Sequence, residues 1–331
     1  MLRIAINGFG RIGRNILRAL YQSGYRDHMQ VVAINDLGDA ATCAHLLEFD
    51  SVHGHFDARI HLQDELLVVE DDAILLLSEP DPFKLPWNEL DIDIVLECSG
   101  RMTKASIASA HIEAGAGRVL ISAPAEGVDA TVVYGVNENV LQNSHRIVSN
   151  ASCTTNCLAP VAKVLHEHFA IEEGSMTTIH AYTNDQHLLD LGGGDLYRAR
   201  AAAMSMIPTK TGAAAAIGLV LPGLDGKIAG MAVRVPTANV SLVDLVVRVH
   251  DTPGRDEVNQ ALREAAALSP VLAYNDRPLV SVDFNGNPAS SVFDANHTTA
   301  NGHLLHVMSW YDNEWGFAHR MLDTSLVMAG T

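Results

Sequence analysis

The sequence feature that most constrains the fold is a glycine-rich turn close to the start of the chain, Gly8-Phe9-Gly10-Arg11-Ile12-Gly13. An apolar run at residues 2–6 precedes the turn, and a helical pattern follows it to about Tyr21. A second apolar run occupies residues 31–34 and ends at Asn35-Asp36. This order predicts a βαβ unit of the dinucleotide-binding type: a strand, a glycine-rich turn, a helix, a second strand and then an acidic residue.

Each glycine of this turn has its own expected role. In the dinucleotide fold the first glycine makes the tight turn, the second lets the backbone approach the pyrophosphate, and the third allows close packing of helix on strand. The helix N-terminus receives the phosphates, and an acid at the end of the second strand can hydrogen-bond the adenosine ribose. Because Asp36 is negative where a 2′-phosphate would lie, we expect NAD rather than NADP. The cofactor-binding residues predicted from this unit are Gly8, Gly10, Arg11, Ile12, Gly13 and Asp36.

The rest of the chain predicts two kinds of sheet, and hence an α/β fold class. Further buried strands at residues 92–97, 119–122 and 131–134, with helical stretches between several of them, indicate a mostly parallel, doubly wound domain over residues 1–150. A second, α+β domain with a mixed or antiparallel sheet is expected from residue 151 to 313, because partial polar–apolar alternation at 241–250 is typical of a sheet with one covered face. The strands predicted for this domain are 176–180, 228–235, 240–250, 279–283 and 304–311, and the helices are 211–221 and 256–268. Residues 314–328 predict a closing amphipathic helix.

Charge and cysteine content restrict the partners and the compartment. The formal net charge of −17 argues against a general nucleic-acid binder and against an anionic membrane surface. Four cysteines without framework spacing indicate a reducing compartment, and neither a signal peptide nor a transmembrane run is evident. We therefore expect a soluble cytoplasmic protein.

A cysteine among small hydroxyl residues, in the segment 149–158, is the strongest chemical signal. Cys153 opens an apolar helical stretch that runs to about Phe169, and a helix N-terminus favours the thiolate, which is the nucleophilic form. Cys157 lies one turn later on the same face; this spacing fits neither a C-x-x-C redox pair nor a metal-ligand set, so no metal site is predicted. From this segment alone, a nucleophile and a buried structural thiol are equally good interpretations for Cys153.

Six segments in order make the chain resemble the phosphorylating glyceraldehyde-3-phosphate dehydrogenase family over essentially its whole length. They are AINGFGRIG at 5–13, SNASCTTNCLAP at 149–160, HAYTNDQ at 180–186, TGAA at 211–214, RVPT at 234–237 and WYDNEWG at 310–316. The resemblance implies an N-terminal Rossmann domain, a catalytic domain, a C-terminal helix at about 314–331 packed back on the first domain, and a homotetramer. It also implies glycolysis or gluconeogenesis as the setting.

The resemblance assigns chemistry residue by residue. Cys153 would attack the aldehyde to form a hemithioacetal, and His180 would polarise the thiol and accept the hemithioacetal proton as hydride leaves for NAD. Inorganic phosphate would then attack the thioester, giving 1,3-bisphosphoglycerate. Asn313 would hold the nicotinamide carboxamide, and Ser122 matches a family residue near the cofactor. The matches to substrate-phosphate positions are Thr183, Arg198 and Arg234, and those to inorganic-phosphate positions are Ser152, Thr154, Thr211 and Gly212.

The chain also departs from the family pattern, and other activities share its logic. Leu191 is followed by three glycines, 192–194, where relatives often carry a proline that helps to exclude NADP, so we expect a more permissive loop. Pro80 stands where relatives often have an arginine beside the adenine. The nearest rival is erythrose-4-phosphate dehydrogenase, against which the segment 181–186 argues. A rival of another class is a redox-sensing or binding protein that uses Cys153 without catalysis.

Overall fold

A computed structural model describes residues 1–192 and 194–330, and its contacts divide the chain into two compact units. Unit 1 contains Met1–Val132, Glu138–Ala151 and the C-terminal residues from Ala318. Unit 2 contains Val133–Asn137 and Ser152–Phe317. This division differs from the boundaries expected from the sequence only in short segments: residues 133–137 and 314–317 lie in unit 2, and Ala151 lies in unit 1.

Unit 1 is a mostly parallel sheet with helices, as the alternation of the sequence predicted. Its strands are β1 (Leu2–Asn7), β2 (Met29–Asn35), β3 (Phe49–Asp50), β4 (Gly54–His55), β5 (Ile60–Gln63), β6 (Leu66–Val69), β7 (Asp72–Leu77), β8 (Ile94–Glu97), β9 (Arg118–Ile121), β10 (Ala130–Thr131) and β11 (Ile147–Ser149). Its first helices are α1 (Arg11–Gln22), α2 (Ala40–Glu48) and α3 (Ala105–Glu113). The sheet order is β10-β11-β9-β8-β1-β2-β7-β6-β5, and the pairs from β10 to β7 are parallel. The β5–β6–β7 edge is antiparallel, and β3 and β4 form a separate antiparallel pair.

Strands β1 and β8 lie side by side at the centre of this sheet. All four residues of β8 are buried, and so are the last four residues of β1. Central parallel strands are covered on both faces, so they read as continuous apolar runs rather than as alternating ones. Their carboxyl ends therefore meet the glycine-rich turn at one edge of the sheet, where ligands bind in doubly wound folds.

Unit 2 is an α+β unit with a mixed sheet. Its strands are β12 (Ile171–Ala181), β13 (Ile207–Thr209), β14 (Ile228–Val235), β15 (Ser241–Val249), β16 (Leu272–Asn275), β17 (Ser291–Asn301) and β18 (Leu304–Tyr311). Its helices are α4 (Cys153–Phe169), α5 (Ala213–Val220) and α6 (Arg255–Leu268), and the C-terminal helix α7 (Trp315–Gly330) begins in this unit. The sheet order is β13-β14-β12-β15-β18-β17-β16, in which β12–β14 and β16–β17 are parallel and the other pairs antiparallel.

Helix α4 begins at the predicted cysteine because Ser152 caps it. The Ser152 hydroxyl accepts a hydrogen bond from the backbone N–H of Thr155 at 3.0 Å, as an N-cap side chain does. The helix ends at Phe169, since Ala170 adopts a left-handed φ of 52°. The start and the end predicted from the sequence are both confirmed.

One strand predicted for unit 2 is wrong, and one long strand was not predicted. Residues 279–283 do not form a strand: a short 3₁₀ helix, Ser281–Phe284, occupies this region, and the Asp283 carboxylate accepts the N–H of Val280 at 2.8 Å. Such a side-chain bond to the nearby backbone closes a turn and competes with strand pairing. The strand β17 was missed because its second half is polar, with Asn296, His297 and Thr298 interrupting the apolar pattern.

The C-terminal helix α7 is held by polar contacts within unit 1. His319 Nε2 lies 2.9 Å from the Ser23 hydroxyl, and the Tyr25 hydroxyl donates to Asp323 at 2.8 Å. The Thr324 hydroxyl donates to Asn150 at 2.8 Å. Within the described residues, no helix has both the length and the apolar composition needed to cross a membrane.

Candidate active site

The predicted nucleophile and base meet in unit 2. Cys153 is the first residue of α4, and His180 is the penultimate residue of β12. The Cys153 Sγ lies 3.6 Å from His180 Nε2, within hydrogen-bond distance for sulfur. A helix N-terminus and a strand end are rigid positions, so this pair is preorganised.

The tautomer of His180 follows from its second nitrogen. Nδ1 lies 2.6 Å from the backbone carbonyl oxygen of Ala181, and since a carbonyl only accepts, Nδ1 carries the hydrogen. In the neutral ring Nε2 is therefore the lone-pair nitrogen, and it faces the thiol. Burial, and secondly the nearby charge of Arg234, lower the pKa of His180 to about 4. The imidazole is thus a neutral acceptor near pH 7.

The surroundings of Cys153 have opposing effects on the pKa of its thiol. Burial raises its pKa above the ordinary value, because the apolar surroundings disfavour the thiolate. The charge of Arg234 and hydrogen bonds from the hydroxyl and the N–H of Thr154 oppose this effect. Cys157, one turn further, is fully buried against the hydroxyl of Ser291, and burial raises its pKa to about 12. Cys157 therefore has the environment of a structural thiol.

Arg234 reaches this pair through the register of the sheet. In the parallel strands β12 and β14, His180 and Arg234 are direct partners. The Arg234 Nη1 donates to the Thr183 hydroxyl at 2.7 Å and to the carbonyl of Ala181 at 3.4 Å. One guanidinium thus borders both the histidine and the following loop.

The three predicted substrate-phosphate residues form one cluster with Asp185. The Arg198 Nη1 donates to the Asp185 carboxylate at 2.5 Å, and its Nε donates to the hydroxyl of Thr209 at 3.0 Å. The Thr183 hydroxyl also donates to Asp185, and Arg234 lies 3.7 Å from the same carboxylate. Two guanidinium groups and a hydroxyl converging on one carboxylate form a cluster that can bind an oxyanion.

The four predicted inorganic-phosphate residues lie at two helix starts. Ser152 and Thr154 flank the cysteine, and the Thr154 hydroxyl is buried and lies 2.8 Å from that of Tyr311. Gly212 is the N-cap of α5, and the Thr211 hydroxyl accepts from the N–H of Ala213 at 3.2 Å. Hydrogen bonds already engage these hydroxyls, which leaves the backbone N–H groups of the first turns as the natural anion ligands.

Asn313 lies in unit 2 just before α7. Its side chain is buried, and its Oδ1 accepts a hydrogen bond from the hydroxyl of Ser241 at 3.0 Å. The preceding residue, Asp312, accepts the N–H groups of Glu314 and Trp315 at 2.9 and 2.8 Å, which fixes the backbone at the helix start.

A cleft in unit 1 brings together three of the predicted cofactor residues, Gly8, Gly10 and Asp36. It has a volume of about 300 Å³, and its lining includes Gly8, Gly10, Asn35, Asp36, Glu79, Pro80, Cys98 and Ser99. The Asp36 carboxylate accepts the N–H groups of Phe9 and Gly38 at 2.7 and 2.8 Å, so the acid is tied to the glycine-rich turn. Pro80, noted in the sequence as a replacement, does line this cleft.

The three glycines of the turn have three different surroundings. Gly8 has a φ of +94°, and a Cβ there would lie 2.5 Å from the backbone N of Ser99. A Cβ on Gly13 would lie 2.3 Å from the carbonyl oxygen of Gly8, whereas a Cβ on Gly10 would have no neighbour within 4 Å. Packing excludes a side chain at the first and third glycines, while the second faces open space. A pyrophosphate at the turn needs open space beside the second glycine and a tight turn held by the other two. The residues therefore fit a dinucleotide.

The other cofactor residues predicted in unit 1 are Arg11, Ile12 and Ser122. The Arg11 guanidinium pairs with Asp50, and Ile12 follows it in the first turn of α1. Ser122 follows β9, and its side chain hydrogen-bonds Cys98 of the cleft. Gly193, in the loop expected to be permissive for NADP, lies outside the described residues.

Sequence reasoning missed three residues of this region: Tyr311, Asp185 and Ser241. The buried Tyr311 hydroxyl lies 2.8 Å from those of Thr154 and Thr178, and its ring packs edge-on against His180. Asp185 lies within the motif at 180–186, but the pattern does not show that Thr183 and Arg198 bond its carboxylate. Ser241 has no local signature, because its partners Ala181 and Asn313 lie 60 and 72 residues away in the chain. Among the described residues, no group of three or more His, Cys, Asp or Glu side chains is arranged to hold a metal ion.

The fold and these two sites define a class, the dinucleotide-dependent oxidoreductases that carry a paired cysteine and histidine. Residues 2–105 match the family model "Glyceraldehyde 3-phosphate dehydrogenase, NAD binding domain", and residues 152–313 match "Glyceraldehyde 3-phosphate dehydrogenase, C-terminal domain". The chain therefore belongs to the glyceraldehyde 3-phosphate dehydrogenase family.

Individual relatives agree over the whole chain. A glyceraldehyde-3-phosphate dehydrogenase of Pseudomonas aeruginosa is 64% identical over 328 residues, covering 99% of this chain and 98% of the relative. A plasmid-encoded one of Cupriavidus necator is 56% identical, and one of Geobacillus stearothermophilus 53%, each with the same coverage. The family resemblance seen in the sequence motifs is confirmed.

Proposed function

We propose that this chain is an NAD-dependent phosphorylating glyceraldehyde-3-phosphate dehydrogenase with Cys153 as nucleophile and His180 as base. The observation that carries the proposal is the 3.6 Å contact from Cys153 Sγ to His180 Nε2, with the other ring nitrogen bonded to the Ala181 carbonyl. Full-length similarity to enzymes of that name supports the same reaction.

The first half of the reaction uses both members of the pair. The Cys153 sulfur attacks the aldehyde carbon as the C=O π bond opens, and the thiol proton passes through His180 to the carbonyl oxygen, which gives a hemithioacetal. His180 Nε2 accepts the hemithioacetal hydroxyl proton while hydride leaves the same carbon, which produces a thioester. NAD, when bound, supplies the hydride acceptor. The neutral state of His180 near pH 7 suits this task, because its burial lowers its pKa to about 4.

The second half returns the enzyme to its starting state. An oxygen of inorganic phosphate attacks the thioester carbon, the S–C bond breaks, and 1,3-bisphosphoglycerate leaves with the acyl group. Departure of the sulfur as a thiolate is favoured by Arg234 and by the start of α4, both of which stabilise negative charge at Cys153. Both halves are reversible: the hydride can return to the thioester carbon, and the acyl transfer exchanges a thioester for an acyl phosphate, which is also an activated acyl group.

Two anion sites are required, and both types of ligand are present in unit 2. Thr183, Arg198 and Arg234 would bind the substrate phosphate, since they already surround one carboxylate. Backbone N–H groups at Ser152–Thr154 and at Thr211–Gly212 would bind inorganic phosphate. These local cations explain how a chain of net charge −17 accepts anionic substrates.

In unit 1 the turn from Gly8 to Gly13, with Asp36 and Ser122, would hold NAD. The cleft with its open face at Gly10 supports this assignment. The role of Asn313, which belongs to unit 2, is the one that the family resemblance implies, binding of the nicotinamide carboxamide. We further propose a homotetramer in the cytoplasm, since the family resemblance implies that assembly and the free cysteines suit a reducing compartment.

One assay tests the activity: NADH formation from glyceraldehyde 3-phosphate, with and without inorganic phosphate and repeated with NADP. We expect turnover that depends on phosphate and prefers NAD, and none in Cys153→Ser. Faster oxidation of erythrose 4-phosphate without phosphate dependence identifies the rival dehydrogenase instead. Retained turnover in Cys153→Ser refutes the nucleophile assignment. Sedimentation analysis checks the tetramer.

A further inference from the structure

One buried hydroxyl in unit 2, that of Ser241, forms hydrogen bonds both to strand β12 and to Asn313. Ser241 is the first residue of β15 and is only 1% exposed. The backbone N–H of Ala181 donates to its Oγ at 3.1 Å, and the hydroxyl donates to the Oδ1 of Asn313 at 3.0 Å. Because the Ala181 carbonyl accepts the Nδ1–H of His180 at 2.6 Å, the residue that fixes the histidine tautomer is itself held by Ser241.

The hydrogen bonds of Ser241 determine which end of the Asn313 amide faces it. In the part of the chain that the structure describes, Ala181 N and Asn313 Oδ1 are the two partners of the Ser241 hydroxyl. If the amide were turned over, its NH₂ group would face Oγ, and the hydroxyl hydrogen would lose its acceptor. An unpaired donor at such a buried position is costly, so the orientation with Oδ1 toward Ser241 is favoured.

We propose that Ser241 is a positioning residue for the cofactor, which holds the Asn313 amide so that Nδ2 is presented as the donor to the nicotinamide carboxamide oxygen. The proposal rests on the proposed role of Asn313 in cofactor binding. Ser241 touches no reacting atom; it acts through Asn313, and through Ala181 on His180. A single hydroxyl therefore sets the orientation of the cofactor-binding amide and of the general base.

The test measures the dissociation constant of NAD by calorimetry in a double-mutant cycle, with melting temperatures to verify folding. In Ser241→Ala the Asn313 amide has no preference between its two orientations. The dissociation constant of NAD then rises at least about two-fold, because only half of the molecules present Nδ2 to the cofactor, and it rises by up to about ten-fold. In an Asn313→Ala background the same substitution has no further effect, because the group it positions is gone. The nearly isosteric Ser241→Cys, a weaker donor, gives an intermediate rise.

Ser291→Ala is the matched control. Ser291 is also buried at the start of a strand of this sheet, but its hydroxyl bonds Ser309 and contacts Cys157 instead of Asn313, so NAD affinity should stay unchanged. An equal effect of Ser241→Ala in both backgrounds overturns the positioning role, and so does wild-type affinity in a folded Ser241→Ala or Ser241→Cys. Wild-type affinity in Asn313→Ala alone refutes instead the proposed role of Asn313, and with it the inference.

Discussion

In the glycine-rich turn, two substitutions at positions only two residues apart should affect different properties: Gly8→Ala the stability of the fold and Gly10→Ala the binding of NAD. Gly8→Ala places a methyl group 2.5 Å from the Ser99 backbone at a φ of +94°. The left-handed backbone costs about 1–2 kcal/mol for a residue with a Cβ, and overpacking against atoms that cannot rotate away costs about 1–3 kcal/mol more. The sum, about 2–5 kcal/mol, is a large part of the roughly 5–15 kcal/mol that stabilises a typical protein.

Gly10→Ala should behave in the opposite way. Gly10 has a φ of −74°, which alanine adopts freely, and its Cβ would have no neighbour within 4 Å. The free energy of unfolding should therefore change by no more than about 1 kcal/mol, because the lower entropy of the unfolded chain favours alanine while the N-cap position of α1 favours glycine. The added methyl group would instead occupy the space that the pyrophosphate needs, and we expect NAD to bind at least about ten-fold more weakly, which is about 1.4 kcal/mol.

Urea unfolding and calorimetric titration with NAD measure the two effects on the same preparations. The expected result is a destabilised Gly8→Ala and a stable Gly10→Ala that binds NAD poorly. Wild-type affinity for NAD in Gly10→Ala would refute the assignment of this open space to the pyrophosphate. Wild-type stability in Gly8→Ala would refute the argument from the close approach to Ser99.

Three further predictions concern charge. Arg234→Gln should raise the KM for glyceraldehyde 3-phosphate about 10- to 100-fold, since a charge-assisted hydrogen bond contributes about 1.5–3 kcal/mol, whereas the exposed Arg248→Gln should leave steady-state kinetics unchanged. The pKa of His180 is lowered from 6.5 to about 4, so as the pH falls the unfolded chain binds a proton at this histidine before the folded chain does. The free energy of unfolding is therefore highest above pH 6.5 and falls by up to about 3 kcal/mol as the pH drops toward 4. Urea unfolding across this range should show a shallower loss in His180→Gln, and an equal loss in both proteins contradicts the shift. Asp36→Ala should reduce the ratio of NAD to NADP catalytic efficiency, and an unchanged ratio would exclude Asp36 as the discriminating charge.

The local elements were predictable because their signals lie within a few consecutive residues. Helix α4 begins and ends where the sequence indicates, since the Ser152 cap and the apolar face are both local. Strand β14 has the predicted bounds, Ile228–Val235. The errors have two causes. At residues 279–283 a side-chain hydrogen bond closes a turn, and in β17 sheet pairing forms a strand where the apolar pattern is interrupted.

The sequence by itself determined the family and the dinucleotide-type turn and singled out Cys153 and His180 as the candidate nucleophile and base, because motifs and periodicity are carried by neighbouring residues. Only the tertiary structure decided the distance between them, the tautomer of the histidine and the hydrogen-bond partners of Asp185 and Ser241. Those properties depend on strand register, which pairs His180 with Arg234 across β12 and β14. Register is set by burial of the whole sheet, and no single segment of the chain carries that information.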